Sequence, residues 1–185
     1  MHDSTTITVG TVQWNGTNMI QGTVKAEASN VVSELWYLAG ASGAGSVVYS
    51  LSAGNTGGIC TLSYTGVKQT TPLDATGWGT DSNGTAKGTI TTVAADAMVI
   101  MCVGNDNNGG VGTPGANQTE RADFPGDSWN QVLVSEQLVA TAGQIIGTYT
   151  FGATPWSVTM ISLQPVTDGG AVTFNSWRSS MGVGL

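Results

Sequence analysis

Short alternating runs of β-branched and aromatic residues, interrupted by glycine, constrain this chain more than any other feature. Gly accounts for 27 of the 185 residues. No window of a dozen or more residues repeats apolar positions at spacings of three and four, so the pattern predicts no amphipathic helix. Alternation with a period of two, bounded by Gly, Asn, Asp or Pro, is typical of strands. We therefore predict an all-β protein.

This pattern predicts about a dozen strands, separated by turn signals such as Asn15-Gly16. The predicted strands lie near 7–14, 18–26, 31–38, 46–52, 59–65, 88–93, 97–103, 118–123, 131–139, 147–151, 156–164 and 171–174. A parallel sheet would need crossover helices between its strands. Strands joined by short links instead predict an antiparallel two-sheet β-sandwich, jelly-roll-like in form.

The length is that of one domain, for which about 100–200 residues is usual. We predict a β-sandwich domain over 1–165 and a C-terminal hairpin or tail over 166–185. Exposed apolar side chains on a free tail would favour aggregation, so the tail is expected to dock on the domain or on a partner subunit. The candidate subunit-interface residues of the tail are Trp177, Arg178, Met181 and Leu185.

Two polar stretches, 72–87 and 104–117, are predicted to be long loops, where binding residues commonly lie. Trp78 falls in the first, Asp106 falls in the second, and Trp129 follows in another polar segment. These three are the candidate ligand-binding residues. A tryptophan in such surroundings can stack on a sugar ring, anchor a neighbouring subunit or pack onto its own domain, and the sequence leaves these alternatives open.

The residue types needed for most catalytic or metal sites are scarce. The chain has one His and two Cys, too few for a His/Cys metal cluster, and a Ser/His/acid triad is equally improbable since His2 lies in the terminal arm. Oxygen-rich runs at 81–84 and 105–108 could hold calcium, but their spacing does not match an EF-hand and is more often that of plain turns. We predict no metal and no cofactor.

Paired carboxylates, as in glycoside hydrolases, are the one enzymatic alternative considered. No candidate lies in a segment whose composition indicates a pocket, so a non-enzymatic protein is expected. The carboxylates in question are Glu34, Glu120, Asp123, Asp127 and Glu136.

The two cysteines, Cys60 and Cys102, lie inside apolar runs. Such residues are commonly small buried hydrophobes. A disulfide across neighbouring strands is the alternative, and the sequence does not decide between them.

Charge limits the partners of the chain. Only 9% of the residues are charged, against about 25% in ordinary soluble proteins. The net charge is −7 and the five Lys and Arg residues are scattered, so neither nucleic acid nor an anionic membrane is an expected partner. A surface with so few charges repels its neighbours weakly, which suits packing against other copies.

Membrane insertion and ordinary secretion are also not expected. No apolar stretch approaches the roughly 20 residues that a spanning helix needs. The first six residues lack the basic region and apolar run of a secretory signal, so synthesis in a cytoplasm is expected.

Three segments resemble a β-sandwich module that recurs in bacteriophage virion proteins and in bacterial and archaeal surface proteins. They are Ser-Glu-Leu-Trp-Tyr-Leu at 33–38, Ser-Tyr-Thr-Gly-Val-Lys-Gln-Thr-Thr-Pro-Leu at 63–73 and Trp-Ser-Val-Thr-Met-Ile-Ser-Leu-Gln-Pro at 156–165. The resemblance spans roughly 7–165. It implies a β-sandwich fold and an adhesion, decoration or appendage role, and it supplies no catalytic residues.

These observations together lead to two expected functions. The first is a homo-oligomeric virion structural protein, namely a capsid-decoration, head-fibre or tail-appendage subunit that binds other copies of itself and other virion proteins. The alternative is a carbohydrate-binding or adhesion module of a secreted or surface protein, which would bind cell-surface glycans through Trp78, Trp129 and the stretch 104–117.

Overall fold

A computed structural model describes residues 8–24, 26–28, 31–52, 56–106, 111–124, 131–166 and 173–183. These residues form β-strands joined by turns, which confirms the all-β prediction. Within these ranges, no helix is long and apolar enough to cross a membrane. The strands are β1 Val9–Trp14, β2 Thr17–Asn18, β3 Ile20–Gln21, β4 Ala26–Ala28, β5 Val31–Ser33, β6 Trp36–Tyr37, β7 Val47–Leu51, β8 Thr56–Thr65, β9 Leu73–Asp81, β10 Thr85–Thr92, β11 Ala97–Asn105, β12 Thr113–Pro114, β13 Thr119–Phe124, β14 Gln131–Val139, β15 Gly143–Thr150, β16 Trp156–Leu163 and β17 Thr173–Val183.

The main sheet has eight strands in the order β12-β15-β10-β9-β16-β11-β14-β13, all paired antiparallel. It curls until its two ends approach each other, and Gln118 joins them. The Oε1 of Gln118 accepts a hydrogen bond from Thr148 N on β15 (2.8 Å), and its Nε2 donates to Ser135 Oγ on β14 (2.6 Å). The result is a nearly closed barrel.

The inside of the barrel is filled by alternate residues of its strands. β10 shows the alternation most clearly, because exposed and buried residues succeed each other along all of its eight positions. Two glycines leave room for methionine side chains inside. A Cβ on Gly88 would lie 2.6 Å from Met160 Sδ, and one on Gly147 would lie 2.6 Å from Met101 Sδ. The buried members of this inner core are Ala86, Ile90, Val99, Met101, Val103, Leu133, Val139, Tyr149, Trp156, Val158 and Met160.

Part of the outside of the barrel is covered by a second layer, which we call the outer layer and which comprises β4, β5 and β8. β8 packs on β14, β5 packs on β11 and β16, and β4 packs on β16 and β9. A second core lies between the barrel and this layer, and includes Ile100, Val134, Ile161 and Leu163 from the barrel with Leu62 from β8. The protein is thus a β-sandwich in which one of the layers is rolled into a barrel.

The C-terminal strand β17 pairs antiparallel with β8 over its length, from Thr173↔Thr65 to Val183↔Thr56. The chain enters this pairing beside the end of β8, because Val166 N donates to Gly66 O at 2.8 Å. The described part of the predicted tail therefore forms a two-stranded sheet with β8 of its own chain. The boundary proposed at 165 stays a prediction.

The prediction of a polar loop over 72–87 is wrong. β9 occupies most of this stretch and joins β10 through a short turn. Gly77 and Gly79 interrupt the strand pattern in the sequence, but the structure requires both. A Cβ on Gly77 would lie 2.2 Å from Thr89 O, and one on Gly79 would lie 2.1 Å from Lys87 O, so β9 can approach β10 only with glycine at these positions.

Replacing Gln118 with Ala tests the closure of the barrel. The variant leaves the buried Ser135 hydroxyl and the Thr148 N–H without this partner, so the free energy of unfolding should fall by about 1–3 kcal/mol. Urea denaturation measures the loss. Gln144→Ala is the matched control, because Gln144 is exposed on the outside of β15 and its loss should change stability by no more than about 0.5 kcal/mol. Equal stability of the two variants would contradict the closure.

Candidate binding face

The outer side of β10 and β15 lies beyond the outer layer, and β9 lies at its edge, because β4 packs on β9. Trp78 on β9 pairs with Thr89 on β10, and Thr89 pairs with Ile146 on β15, so these three side chains form one row across the strands. Trp78 is 58% exposed and Ile146 is 50% exposed. Two large apolar side chains are thus presented to solvent in register.

We call the outward side of these three strands the Trp78 face. Its residues follow from the alternation of each strand around the central row. They are Thr76, Trp78, Thr80, Thr85, Lys87, Thr89, Thr91, Gln144, Ile146, Thr148 and Thr150.

Threonine dominates the Trp78 face, and Lys87 is its only charged residue. Each threonine hydroxyl can donate and accept a hydrogen bond, and β-branching limits the rotamers of the side chain. The face is therefore ordered, polar without carboxylates, and apolar along its central row. These properties suit contact with another uncharged surface.

An open depression of about 450 Å³ adjoins the Trp78 face at the turn between β9 and β10. Thr80, Thr85 and Lys87 belong to both the face and the depression, and Trp156 and Asn83 also line it. Trp156 Nε1 donates a hydrogen bond to Asn83 O at 3.0 Å, which holds the turn against the end of the barrel. Thr80, two residues after Trp78 on β9, lies between the exposed Trp78 ring and this depression.

At 81–84 the oxygen atoms considered for calcium take part in hydrogen bonds of the turn itself. The two carboxylate oxygens of Asp81 accept hydrogen bonds from Ser82 N (2.7 Å) and Asn83 Nδ2 (2.7 Å). Asn83 Oδ1 accepts from Thr85 N (2.9 Å). No group of three possible His, Cys, Asp or Glu ligands occurs in the described part of the chain. Of the second run, only 105 and 106 are described.

The structure corrects the predicted setting of Trp78, which lies in the middle of strand β9 and not in a loop. It does not bring Asp106 close to Trp78. Asp106 follows the end of β11, where its N–H donates to Pro155 O at 3.1 Å and its carbonyl accepts from the Thr154 hydroxyl. Strand register places Asp106 two strands and four residues away from Trp78, roughly 15 Å.

The structure gives little information on the other predicted site residues. Trp129 and Leu185 lie outside the described residues. The backbones of Trp177, Arg178 and Met181 belong to β17, and their side chains lie outside what the structure describes.

The carboxylate Glu136 is part of a buried contact between β8, β13 and β14. It is only 5% exposed and accepts a hydrogen bond from Tyr64 Oη at 2.8 Å. Its other oxygen accepts from Arg121 Nη2 in an ion pair. Burial raises the pKa of the Tyr64 hydroxyl well above its usual range, and the adjacent Glu136 charge raises it further.

The other described candidate carboxylates, Glu34, Glu120 and Asp123, have separate surroundings. Register places Glu120 beside Ser135, on the opposite side of the sheet from Glu136. Asp123 accepts hydrogen bonds from Gln131 Nε2 (2.6 Å) and Gly112 N (3.1 Å). Glu34 accepts from Trp36 Nε1 (2.9 Å) and Gln21 Nε2 (3.1 Å), and Asp127 lies outside the described residues. Glu34, Asp123 and Glu136 thus hold neighbouring strands together.

Comparisons with protein-family models, with curated proteins and with solved structures find no match to this chain. The resemblance to the virion and surface-protein module therefore rests on the three quoted segments. The Trp78 face is identified from the geometry of this protein.

The Tyr64–Glu136 contact predicts how stability depends on pH. The raised pKa means that the folded state holds the Tyr64 proton more tightly than the unfolded chain, whose tyrosines titrate near pH 10. The contribution of Tyr64 is therefore complete below about pH 10 and decreases as the pH rises further. In Tyr64→Phe, stability at neutral pH should fall by about 1 kcal/mol through loss of the hydrogen bond.

Above about pH 10, stability should also decline less steeply in Tyr64→Phe than in the parent, by up to about 1.4 kcal/mol per pH unit. Urea unfolding across this range measures both effects. Cys60 and Cys102 titrate in both proteins, so the difference between the two curves reports Tyr64 together with its coupling to Glu136 and Cys60. Parallel curves would contradict the assignment.

Proposed function

We propose that this protein is a non-enzymatic structural subunit of a virion, which acts by assembly with copies of itself and with other virion proteins, and by surface adhesion. A capsid-decoration, head-fibre or tail-appendage role fits this proposal, and the location would be the virion. The observation that carries it is the Trp78 face, with Trp78 and Ile146 exposed in one row among threonines.

Charge supports this proposal. The protein has a net charge of −7, yet its Trp78 face has one lysine and no carboxylate. Two copies can therefore bring this face against a neighbour without opposing acidic groups. The apolar row supplies the favourable burial, at about 25 cal/mol per Å² before the cost of ordering.

The size of the Trp78 face indicates repeated contacts. Three strands about 4.8 Å apart and eight or nine residues long cover roughly 300–400 Å². A stable interface between two proteins buries about 800 Å² on each partner. A single contact through this face would be weak, but many such contacts in an array reinforce one another. This is the situation of a subunit on a virion surface.

Two substitutions on the Trp78 face test the assembly. Trp78→Thr and Ile146→Thr extend the threonine pattern and remove exposed apolar area, so each should leave the folded subunit stable to within about 0.5 kcal/mol. Combined, they should shift the protein from oligomer to monomer in light scattering and electron microscopy.

Val48→Thr is the matched control for these two changes, because Val48 is 60% exposed on β7, away from the Trp78 face. It should leave the oligomer intact. An oligomer that survives the double substitution, or a parent protein that is monomeric at every concentration, would contradict the proposal.

The alternative function is a carbohydrate-binding or adhesion module, and the depression beside Trp78 favours it. An exposed indole ring can stack on a sugar ring, while the Thr80 and Thr85 hydroxyls and the Lys87 ammonium are placed to bind sugar hydroxyls. The ligand would be a cell-surface glycan.

Titration of the subunit with a panel of polysaccharides in a calorimeter separates the two functions. If the alternative is correct, a stable monomer binds one of them and Trp78→Ala weakens binding at least about tenfold. Ile146→Ala is the control and should weaken it much less, since Ile146 lies on β15, two strands away from Trp78 and Thr80 on β9. An oligomer that binds no polysaccharide supports the virion proposal.

A further inference from the structure

The side chains of Cys60 and Cys102 face the same core from opposite layers. Cys60, Leu62 and Tyr64 are alternate residues of β8 and therefore lie on the same face of the strand. All three pack into the core between β8 and the barrel. Cys102 lies on β11 two positions after Ile100, and both face the same core from the barrel. Neither cysteine forms a disulfide in the structure.

The course of β8 over β14 brings the two cysteines together. A Cβ on Gly58 would lie 2.7 Å from Val132 Cγ2, and further along Tyr64 Oη lies 2.8 Å from Glu136. β8 therefore runs along β14 in the same direction. Cys60 comes two residues after Gly58. On the barrel, Val134 comes two residues after Val132, and Cys102 is its cross-strand partner.

The two layers are unusually close at this point. Packed sheets commonly lie about 10 Å apart. Gly58 has no side chain, and its backbone lies almost against a Val132 methyl group, so β8 and β14 approach more closely than that. A disulfide between layers needs Cα atoms about 4.4–6.8 Å apart. This close approach lies two residues from Cys60, so Cys60 lies nearer to the barrel than it would in an ordinary sandwich.

The electrostatics agree with this placement. Burial raises the pKa of the Cys60 thiol to about 11 and that of Cys102 to about 12. The charge of a Cys60 thiolate contributes to the rise at Cys102, which indicates that the two sulfurs are near each other. Both groups are neutral thiols at neutral pH, and in a reducing cytoplasm they remain so.

We propose that Cys60 and Cys102 form a disulfide site that joins the β8–β17 strand pair to the barrel when the protein meets a low-molecular-weight disulfide such as oxidised glutathione. Cys60 Sγ attacks one glutathione sulfur, forming a mixed disulfide and releasing one glutathione thiol. Cys102 Sγ then attacks Cys60 Sγ, forming the protein disulfide and releasing the second glutathione. Both cysteines are oxidised, one glutathione disulfide is reduced to two thiols, and the two cysteine protons end on them.

This inference does not depend on the proposed virion function. The bond would close a loop from 60 to 102 and restrict the unfolded chain, so the folded state should gain stability. It would also keep β8 and β17 on the barrel during local opening. A protein made in a reducing cytoplasm and then released would acquire the bond outside the cell.

Refolding the full chain from urea in glutathione buffers of graded ratio tests the site, because both thiols are accessible during refolding. Mass spectrometry with peptide mapping identifies the product. We expect an intramolecular Cys60–Cys102 bond and a melting temperature higher than that of the reduced protein by on the order of 10 °C. Cys60→Ser and Cys102→Ser should each melt at the same temperature in oxidising and reducing buffer.

At half-oxidation, the squared concentration of glutathione thiol divided by the concentration of glutathione disulfide gives the effective concentration of one cysteine near the other. The effective concentration in the native protein should exceed that in the same chain kept in concentrated urea by at least about a hundredfold. Equal values, or products that are only glutathione adducts and intermolecular dimers, would overturn the proposal.

Discussion

Strand β16 is the element on which the rest of the structure depends, because both of its faces are buried along its whole length. Val158 and Met160 point into the barrel, and Ile161 and Leu163 point into the outer core. Each such side chain contributes about 1.5–3 kcal/mol by leaving water. One strand thus belongs to two cores at once, and the barrel and the outer layer are stabilised together.

The outer layer covers only part of the barrel and leaves the Trp78 face exposed. β8, β5 and β4 pack on β14, β11, β16 and β9 in turn. Beyond them, β10 and β15 continue the barrel with an outer side that is exposed at most positions. The Trp78 face lies where the cover ends. Trp78 and Ile146 are exposed here in one row across three strands, and it is this alignment that favours the Trp78 face as a contact surface.

Much of the fold is predictable from the alternation of side chains. The runs that became β1, β7, β11, β14 and β16 are recognisable because their apolar residues are dense and glycine is rare within them. The single strand predicted over 18–26 is instead divided among β2, β3 and β4, which pair with β1, β6 and β5. Pairing with distant segments decides such breaks, and local sequence does not contain that information.

The candidate site was only partly predictable, and β9 shows why. Its outward residues Thr76, Trp78 and Thr80 alternate as a strand should, but Gly77 and Gly79 between them suggest a loop. Those glycines are explained only by the backbone of β10 pressing against them. Ile146 was not a candidate, because its alignment with Trp78 depends on the register of three strands. The polar setting of Trp78 was the sequence signal that made it a candidate.

Hydroxyl-radical footprinting of the assembled and the dissociated protein tests the central claim most directly. If the uncovered side of the barrel is the contact surface, oxidation of Trp78 and Ile146 decreases strongly on assembly, while that of Val48 stays the same. Equal oxidation of Trp78 in both states would contradict the account.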